Sequence, residues 1–256
     1  MSFIPRLFLP LGSKTSKEIS LDAAASRYLV KVLRLKEGDR FLGFDPESNQ
    51  FELALKKADA QGALAGVLSV SETAKGKRRR RIALGQSLPK ASKMDLILRQ
   101  GTELGVDQFI PLITQRSISR PDGSQQGHKH ERWEKILVEA CRQCGRTDMP
   151  KLEGVADWKK GLEFFPGFDL VLLPYEKEAP GLGEVLKSAP LPQNILILIG
   201  PEGGWTPEEV REAQEKGALP VHLPTPILRT ETAGLVVVSM IQFFLSQAID
   251  SGERGN

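Results

Sequence analysis

The stretch Ile195-Leu-Ile-Leu-Ile-Gly200-Pro-Glu-Gly-Gly204-Trp-Thr-Pro-Glu-Glu209 joins an apolar run to a glycine-rich turn and then to a helix start. Five consecutive apolar residues are typical of a parallel strand that is buried on both faces. Thr206 suits a helix N-cap, Pro207 suits the first helical position, and Glu209 completes a capping box. In open α/β sheets, ligands bind beyond the carboxyl ends of the strands, where glycines allow close approach to the backbone. The stretch therefore predicts a ligand-binding loop, although its spacing matches neither a dinucleotide fingerprint nor a P-loop.

The same alternation of strand and helix extends to both sides of this stretch. We predict strands over residues 82–86, 108–113, 169–173, 195–199 and 221–223, and helices over residues 92–104, 128–144, 207–216 and 231–249. Such alternation indicates a parallel α/β sheet. The last helix is apolar nearly all round, so we expect the core or a second subunit to cover it on several sides.

Residues 1–70 have a different pattern, with β-like stretches over 40–44, 51–55 and 63–70 after a predicted helix over 21–35. Several short strands with one helix predict a small β-barrel. We therefore expect a barrel domain over residues 1–70, a basic linker over 71–81, an α/β domain over 82–250 and a disordered tail over 251–256.

Charge is distributed unevenly between these parts. Residues 1–81 carry 16 basic and nine acidic side chains, whereas residues 82–256 carry 19 basic and 23 acidic ones. The basic surplus peaks at Lys75-Gly-Lys-Arg-Arg-Arg-Arg81. Such a cluster attracts polyanions, and it is equally typical of a solvated, extended linker; the two interpretations are compatible. The first third of the chain is thus a candidate RNA- or DNA-facing module.

Two further loops resemble the first in following a predicted strand. In Leu223-Pro-Thr-Pro-Ile-Leu-Arg-Thr-Glu-Thr-Ala233, a helix starts at Thr230. The helix dipole favours Glu231 in the first turn but disfavours Arg229 there, so Arg229 is a candidate for binding an anion. Leu173-Pro-Tyr-Glu176 is the third such loop.

Composition excludes several classes of protein. An apolar fraction of 40% and a charged fraction of 26% are ordinary for a globular chain, and no apolar run is long enough to span a membrane. The two cysteines and the absence of a predicted signal peptide indicate a reducing compartment, hence the cytoplasm. Because Cys141 and Cys144 lie within one predicted helix, we expect buried thiols and no metal site. His222 is expected to be a packed core residue.

Several motifs taken together resemble the RsmE family of bacterial small-subunit ribosomal RNA uridine-N3 methyltransferases. They are Thr102-Glu-Leu-Gly-Val106, Glu139-Ala-Cys-Arg-Gln-Cys-Gly-Arg146, Ile199-Gly-Pro-Glu-Gly-Gly204 and Leu228-Arg-Thr-Glu-Thr-Ala233, with Pro5-Arg6, Tyr28-Leu-Val-Lys-Val-Leu-Arg-Leu35 and Gly38-Asp39. The resemblance covers nearly the whole chain. It implies a PUA-like RNA-binding barrel followed by a SPOUT-type α/β domain with a trefoil knot, in which residues 223–249 thread through an earlier loop. It also implies a homodimer that binds S-adenosylmethionine.

The resemblance assigns the cofactor to the three loops. The residues implied are Leu173, Pro174, Ile199, Gly200, Pro201, Glu202, Gly203, Leu223, Ile227, Leu228 and Thr230. The chain departs from the family where Pro224 replaces a glycine and Pro226 an arginine. Proline has no N–H, so no backbone bond can be donated at either position.

The implied reaction places a methyl group on uracil N3, which carries a proton at neutral pH. Arg229 is expected to stabilise the resulting anion, and Glu202 or Glu231 to accept the proton; the sequence does not rank the two acids. The expected RNA contacts are Arg6, Arg27 (where the family commonly has histidine), Arg116, Arg142 and Arg146, with Arg142 and Arg146 on one helical face. The expected substrate is a uridine of 16S ribosomal RNA. The alternatives are a non-catalytic RNA-binding or ribosome-assembly factor and a SPOUT methyltransferase acting on transfer RNA.

Overall fold

The computed structural model describes residues 4–9, 13–45, 49–72, 80–188 and 190–253. The chain divides into two compact units: residues 1–77 with 138–149, and residues 78–137 with 150–256. The sequence predicts one boundary within residues 71–81. Residues 138–149 nevertheless group with the first unit, which no local pattern indicates. Residues 73–79, with most of the basic cluster, lie outside the described residues.

The first unit is built on a five-stranded mixed sheet in the order β1-β3-β4-β5-β2. Its strands are β1 (Arg6–Phe8), β2 (Glu18–Ser20), β3 (Arg40–Phe44), β4 (Asn49–Lys57) and β5 (Leu64–Glu72). In β4 the alternate residues Phe51, Leu53 and Leu55 are buried, and two register shifts against β5 bend the strand. Three strands were predicted, whereas the short edge strands β1 and β2 were not. Within the described ranges β1 and β2 do not pair, so the sheet is open.

The helix of this unit is shorter than predicted. The Asp22 side chain caps α1 (Ala23–Arg27) by accepting a 2.7 Å bond from the backbone N–H of Ala25. The chain continues as a π-helical segment, Tyr28–Val32, which buries Leu29 completely. Helical structure ends there, and Arg34 takes a left-handed conformation with φ of 56°.

The second unit contains a seven-stranded parallel sheet. Its strands are β6 (Arg81–Ser87), β7 (Gln108–Ile113), β8 (Lys151–Leu152), β9 (Ala156–Asp157), β10 (Leu170–Pro174), β11 (Asn194–Ile199) and β12 (Leu219–Val221). The order is β12-β10-β11-β6-β7-β8, and β9 also pairs with β7. Because all these strands are parallel, the loops after β10, β11 and β12 leave the sheet at the same edge.

Helices cover both faces of this sheet. The helices of this unit are α2 (Lys93–Glu103), α4 (Trp158–Leu162), α5 (Leu182–Ser188), α6 (Pro207–Glu215) and α7 (Thr230–Glu253). Helix α3 (Gly123–Cys144) begins in this unit, and its residues from 138 onward belong to the first unit. Trp158 of α4 and Val210 of α6 pack in one core cluster with Leu196 and Leu198 of β11. On α7, Gly234 approaches Leu84 and Ile199 so closely that a Cβ there would lie 3.1–3.3 Å from their side chains. The residues of 195–199 are at most 3% exposed, as expected for a strand covered on both faces.

Several predicted boundaries are wrong by a few residues. Helix α3 begins at Gly123 rather than at residue 128, and β12 lies at Leu219–Val221 rather than at 221–223. Helix α7 continues to Glu253, into the expected disordered tail. The Ser92 side chain makes no capping bond to α2, and Gly105, just after the helix, has a positive φ of 87°.

Helix α7 is apolar, but one side of it lacks cover within the described part of the chain. Val237, Val238 and Ile241 are fully buried, whereas Phe243 is 68% exposed. Among the described residues, no helix combines the length and the hydropathy that crossing a bilayer requires.

Candidate active site

A cavity of about 500 Å³ opens where β10 and β11 end and α7 begins. Its walls combine three kinds of surface: glycine backbone, apolar side chains and charged groups. The lining residues are Lys93, Pro174, Glu176, Ile199, Gly200, Pro201, Glu202, Gly203, Gly204, Trp205, Ile227, Leu228, Arg229, Thr230 and Ala233. The volume lies in the range of small-molecule binding sites, which are commonly about 300–1,000 Å³.

A smaller cavity of about 130 Å³ shares Pro174, Glu176, Ile227, Leu228 and Ala233 with the first. It continues past the end of β12, and its other lining residues are Tyr175, His222, Leu223, Thr225 and Pro226. Together the two cavities bring the three predicted loops into one place. Every residue predicted to hold a cofactor lines at least one cavity, except Leu173, which is fully buried within the sheet.

The glycine-rich loop after β11 is held in place from both sides. Thr206 and Glu209 form the predicted capping box of α6, and the Glu209 carboxylate also accepts a 2.7 Å bond from the Gln115 backbone N–H. Arg116 donates to the backbone carbonyl of Gly203 at 2.8 Å. Gly204 has a positive φ of 68°. Arg116, predicted as an RNA contact, therefore supports the loop, a role that its sequence position does not indicate.

The start of α7 is fastened to the same loop. The Thr230 hydroxyl donates to the Gly200 backbone carbonyl at 2.6 Å and accepts from the Gln86 side-chain amide at 3.0 Å. Gln86 and Thr230 are 144 residues apart in the chain, so sequence reasoning did not find Gln86.

Two predicted acids lie on either side of a lysine that the sequence did not single out. Lys93 Nζ lies 3.2 Å from Glu202 Oε1 and 3.0 Å from Glu231 Oε2. Glu202 Oε1 also accepts a 3.0 Å bond from the Lys90 backbone N–H. Glu202 and the third predicted catalytic residue, Arg229, line the cavity, whereas Glu231 lies next to it, in contact with the lining residue Lys93.

These contacts determine the charge of the site. Burial raises the pKa of both carboxyl groups, but the hydrogen bonds that they accept, including those from Lys93, outweigh burial and hold each pKa below its ordinary value. The positive charge of Arg229 lowers the pKa of Glu231 further. The neighbouring Glu231 carboxylate, 3.0 Å away, raises the pKa of Lys93. Both carboxylates and the ammonium are therefore charged at neutral pH.

The other predicted RNA contacts lie in the first unit. Arg27 is exposed, Arg6 donates to the Gly145 backbone carbonyl, and the Arg142 guanidinium stacks 4.2 Å above the Tyr28 ring. Arg146 bonds to Asp148 at 2.9 Å, and only 7% of its side chain is exposed. The expectation that Arg142 and Arg146 share a helical face is wrong, because α3 ends at Cys144, before Arg146.

Two further predictions about single residues need correction. Cys144 is exposed, and only Cys141 is buried; burial raises the pKa of the Cys141 thiol to about 12, so this thiol is unreactive. His222 is exposed at the smaller cavity rather than packed in the core, because β12 ends one residue before it. Across the described ranges, no group of three or more histidine, cysteine or acidic side chains could hold a metal ion.

The chain is similar to known proteins along most of its length. The RNA methyltransferase domain family matches residues 76–242. The Bacillus subtilis protein named ribosomal RNA small subunit methyltransferase E is 30% identical over 247 residues, covering 93% of this chain and 96% of that protein.

Two solved structures have the same fold. A ribosomal RNA small subunit methyltransferase E from Neisseria gonorrhoeae, bound to S-adenosyl methionine, is 30% identical with a TM-score of 0.82. A putative methyltransferase from Legionella pneumophila, in complex with its bound cofactor SAM, is 27% identical with a TM-score of 0.81. Each comparison covers 94% of this chain and 98% of the other. The predicted fold class, a small PUA-like domain before a SPOUT-type α/β domain, is confirmed; the knot stays a prediction.

Proposed function

Because the chain belongs to the ribosomal RNA small subunit methyltransferase E family, we propose that it methylates N3 of a uridine in 16S ribosomal RNA with S-adenosylmethionine as donor. Membership makes the chain an RNA methyltransferase. The observation that carries the proposal is the cavity formed by the loops after β10, β11 and β12. The cytoplasm, where ribosomal RNA is found in bacteria, is the location that this proposal requires.

The cavity residues fit this cofactor chemically. Ile199, Ile227 and Leu228 offer apolar surface for adenine, and the backbone at Gly200 and Gly203 offers polar groups for ribose. Glu202, which lines the cavity, supplies negative charge for the ammonium of the methionine part. Pro224 and Pro226 donate no backbone bonds. We assign the cofactor to the loops over residues 173–176, 199–204 and 223–230.

The chain's own residues have three tasks in the reaction. S-adenosylmethionine, when bound, supplies a methyl group activated by a positively charged sulfur. The cavity holds the uracil in line with that methyl group, which supplies much of the rate. Arg229 stabilises the negative charge that uracil gains as N3 loses its proton. Glu202 or Glu231 accepts that proton. The uridine must leave its base stack to reach the cavity, as in other base-modifying enzymes.

The RNA would meet cations of the first unit. Arg27, Lys31, Arg34 and Lys36 are exposed on the helix and the segment after it, and they suit contacts to phosphate. Arg6 and Arg142 are partly exposed and stay candidates, although both also make internal contacts.

A homodimer belongs to the same proposal. Phe243 is 68% exposed on α7, and Val236, Met240 and Phe244 nearby are partly exposed. An apolar stripe of this kind needs a cover, and a second copy of the chain would supply it.

Titration calorimetry with S-adenosylhomocysteine tests the cofactor assignment. We expect one binding site per chain. Undetectable binding to folded protein would refute the enzymatic proposal and favour a non-catalytic RNA-binding factor. Methylation of transfer RNA but not of 16S ribosomal RNA would refute the substrate.

A further inference from the structure

Lys93 occupies a position that is unfavourable for an unpaired cation. It is the first residue of α2, where the helix dipole presents partial positive charge. Its side chain is nevertheless 32% exposed and turned to the cavity wall, where it meets two carboxylates. Pairing with two acids offsets both the dipole and the partial desolvation.

The two acids come from separate elements. Glu202 belongs to the loop after β11, and Glu231 to the first turn of α7. Their side chains are 25% and 13% exposed. Since both contact one ammonium, their nearest oxygens can be no more than about 6 Å apart. Without a cation between them, two carboxylates at that distance would repel each other.

We infer that Lys93 is a positioning residue of the methyl-transfer site, whose ammonium holds the Glu202 and Glu231 carboxylates side by side by offsetting the repulsion between them. The inference rests on the proposed function for its role in catalysis. When one carboxylate accepts the N3 proton, the N–H electron pair stays on the nitrogen and forms the bond to the methyl carbon. Lys93 then stays paired with the other carboxylate, so the site keeps its shape during proton transfer.

Other charged groups face this pair. Arg229 acts on Glu231, the Lys90 backbone N–H bonds to Glu202, and Glu176 lies on the wall of the same cavity. Arg229 adds positive charge and Glu176 adds negative charge, and both stay in place when Lys93 is changed. A shift in the pKa of Glu202 or Glu231 on substitution of Lys93 therefore reports the loss of the Lys93 ammonium.

The first test measures the carboxyl groups in the protein alone. In wild type, ¹³C-glutamate NMR should show Glu202 and Glu231 titrating below the ordinary value of 4.5. In Lys93→Met, at least one should titrate higher by about one pH unit or more, since a neighbouring cation is lost and a like charge remains. Lys93→Arg should restore the low values. Lys90→Met is the matched control, because its exposed lysine contacts Glu202 only through the backbone N–H.

The second test measures methyl transfer against pH. Activity requires an ionised carboxylate, so it falls as pH drops through the pKa of the pair. This fall in activity is the acid limb of the pH–activity profile. In Lys93→Met the acid limb should move to higher pH, whereas S-adenosylhomocysteine should still bind. Lys93→Arg and Lys90→Met should keep the limb near its wild-type position.

Each outcome decides the inference. Unchanged pKa values of Glu202 and Glu231 in folded Lys93→Met would overturn the inference. It would also be overturned if those pKa values changed while the acid side of the pH–activity profile stayed at its wild-type position. If Lys93→Met does not fold, Glu231→Gln is used in its place. Lys93 then pairs with Glu202 alone, so the pKa of Glu202 should fall further. An unchanged pKa of Glu202 in this variant would overturn the inference. If wild-type protein makes no N3-methyluridine, the proposed function fails, while the NMR titration still decides whether Lys93 holds the pair.

Discussion

The Thr230 hydroxyl donates a 2.6 Å hydrogen bond to the Gly200 backbone carbonyl and so joins the first turn of α7 to the loop after β11. The same hydroxyl accepts from Gln86, at the end of β6. Three elements that are far apart in the chain therefore meet at one buried side chain, and the cavity takes its shape from their junction.

Thr230→Val should weaken this junction while keeping the side-chain shape. The change removes one buried and one partly buried hydrogen bond, so we expect a loss of about 1–3 kcal/mol in the free energy of unfolding. The affinity for S-adenosylhomocysteine should fall as well. Urea unfolding and calorimetry measure the two effects. Thr232→Val, at an exposed position two residues along, is the control; equal losses in both variants would contradict the account.

Gly200→Ala should distort the glycine-rich loop. Its Cβ would lie 3.2 Å from the Trp205 ring, which is 3% exposed and packs on Trp158 with 5.2 Å between ring centroids. Because Trp205 has little room to move, the loop must shift instead. We expect affinity for S-adenosylhomocysteine to fall about tenfold, equivalent to about 1.4 kcal/mol. Gly183→Ala, where a Cβ meets nothing within 4 Å, should bind normally.

Arg229→Ala should separate chemistry from binding. Loss of one charge-stabilising group typically lowers turnover by about 10²–10³-fold. Binding of S-adenosylhomocysteine should change little, since Arg229 is assigned to the uracil. Wild-type turnover in this variant would remove Arg229 from the mechanism. Arg211→Ala is the control, because Arg211 is exposed and pairs with Glu215 on α6, outside the cavity lining.

Phe243→Lys should shift the protein toward monomer. A side chain that is 68% exposed can be replaced without disturbing the fold, but an ammonium would have to be buried in the proposed interface. Sedimentation equilibrium measures the change in mass. Ile118→Lys alters another exposed apolar side chain, 62% exposed, and should leave the mass unchanged. A monomeric wild-type protein would refute the dimer.

The sequence predicts most of the second unit because local chemistry determines it. The apolar run ending at Ile199 and the cap at Thr206 each specify their own short segment. The three loops could likewise be predicted to converge, since parallel strands place their carboxyl ends at one edge.

The contacts between distant residues could not be predicted in this way. Lys93 looks like an ordinary surface lysine until Glu202, 109 residues later, lies beside it. Arg116 likewise looks like a surface cation, yet it bonds to Gly203, 87 residues away. Strands β1 and β2 have three residues each, too few to show a period.

The most direct test of the proposed function mixes three components: the purified protein, S-adenosylmethionine with a CD₃ methyl group, and small ribosomal subunits. The subunits come from cells that lack the gene for this protein. Mass spectrometry of nucleosides from the 16S ribosomal RNA then identifies the product. We expect CD₃-labelled N3-methyluridine that forms only with the protein and is nearly abolished by Arg229→Ala. The proposed function would be contradicted if folded wild-type protein bound S-adenosylhomocysteine but formed none of this nucleoside. It would also be contradicted if the label appeared on another base.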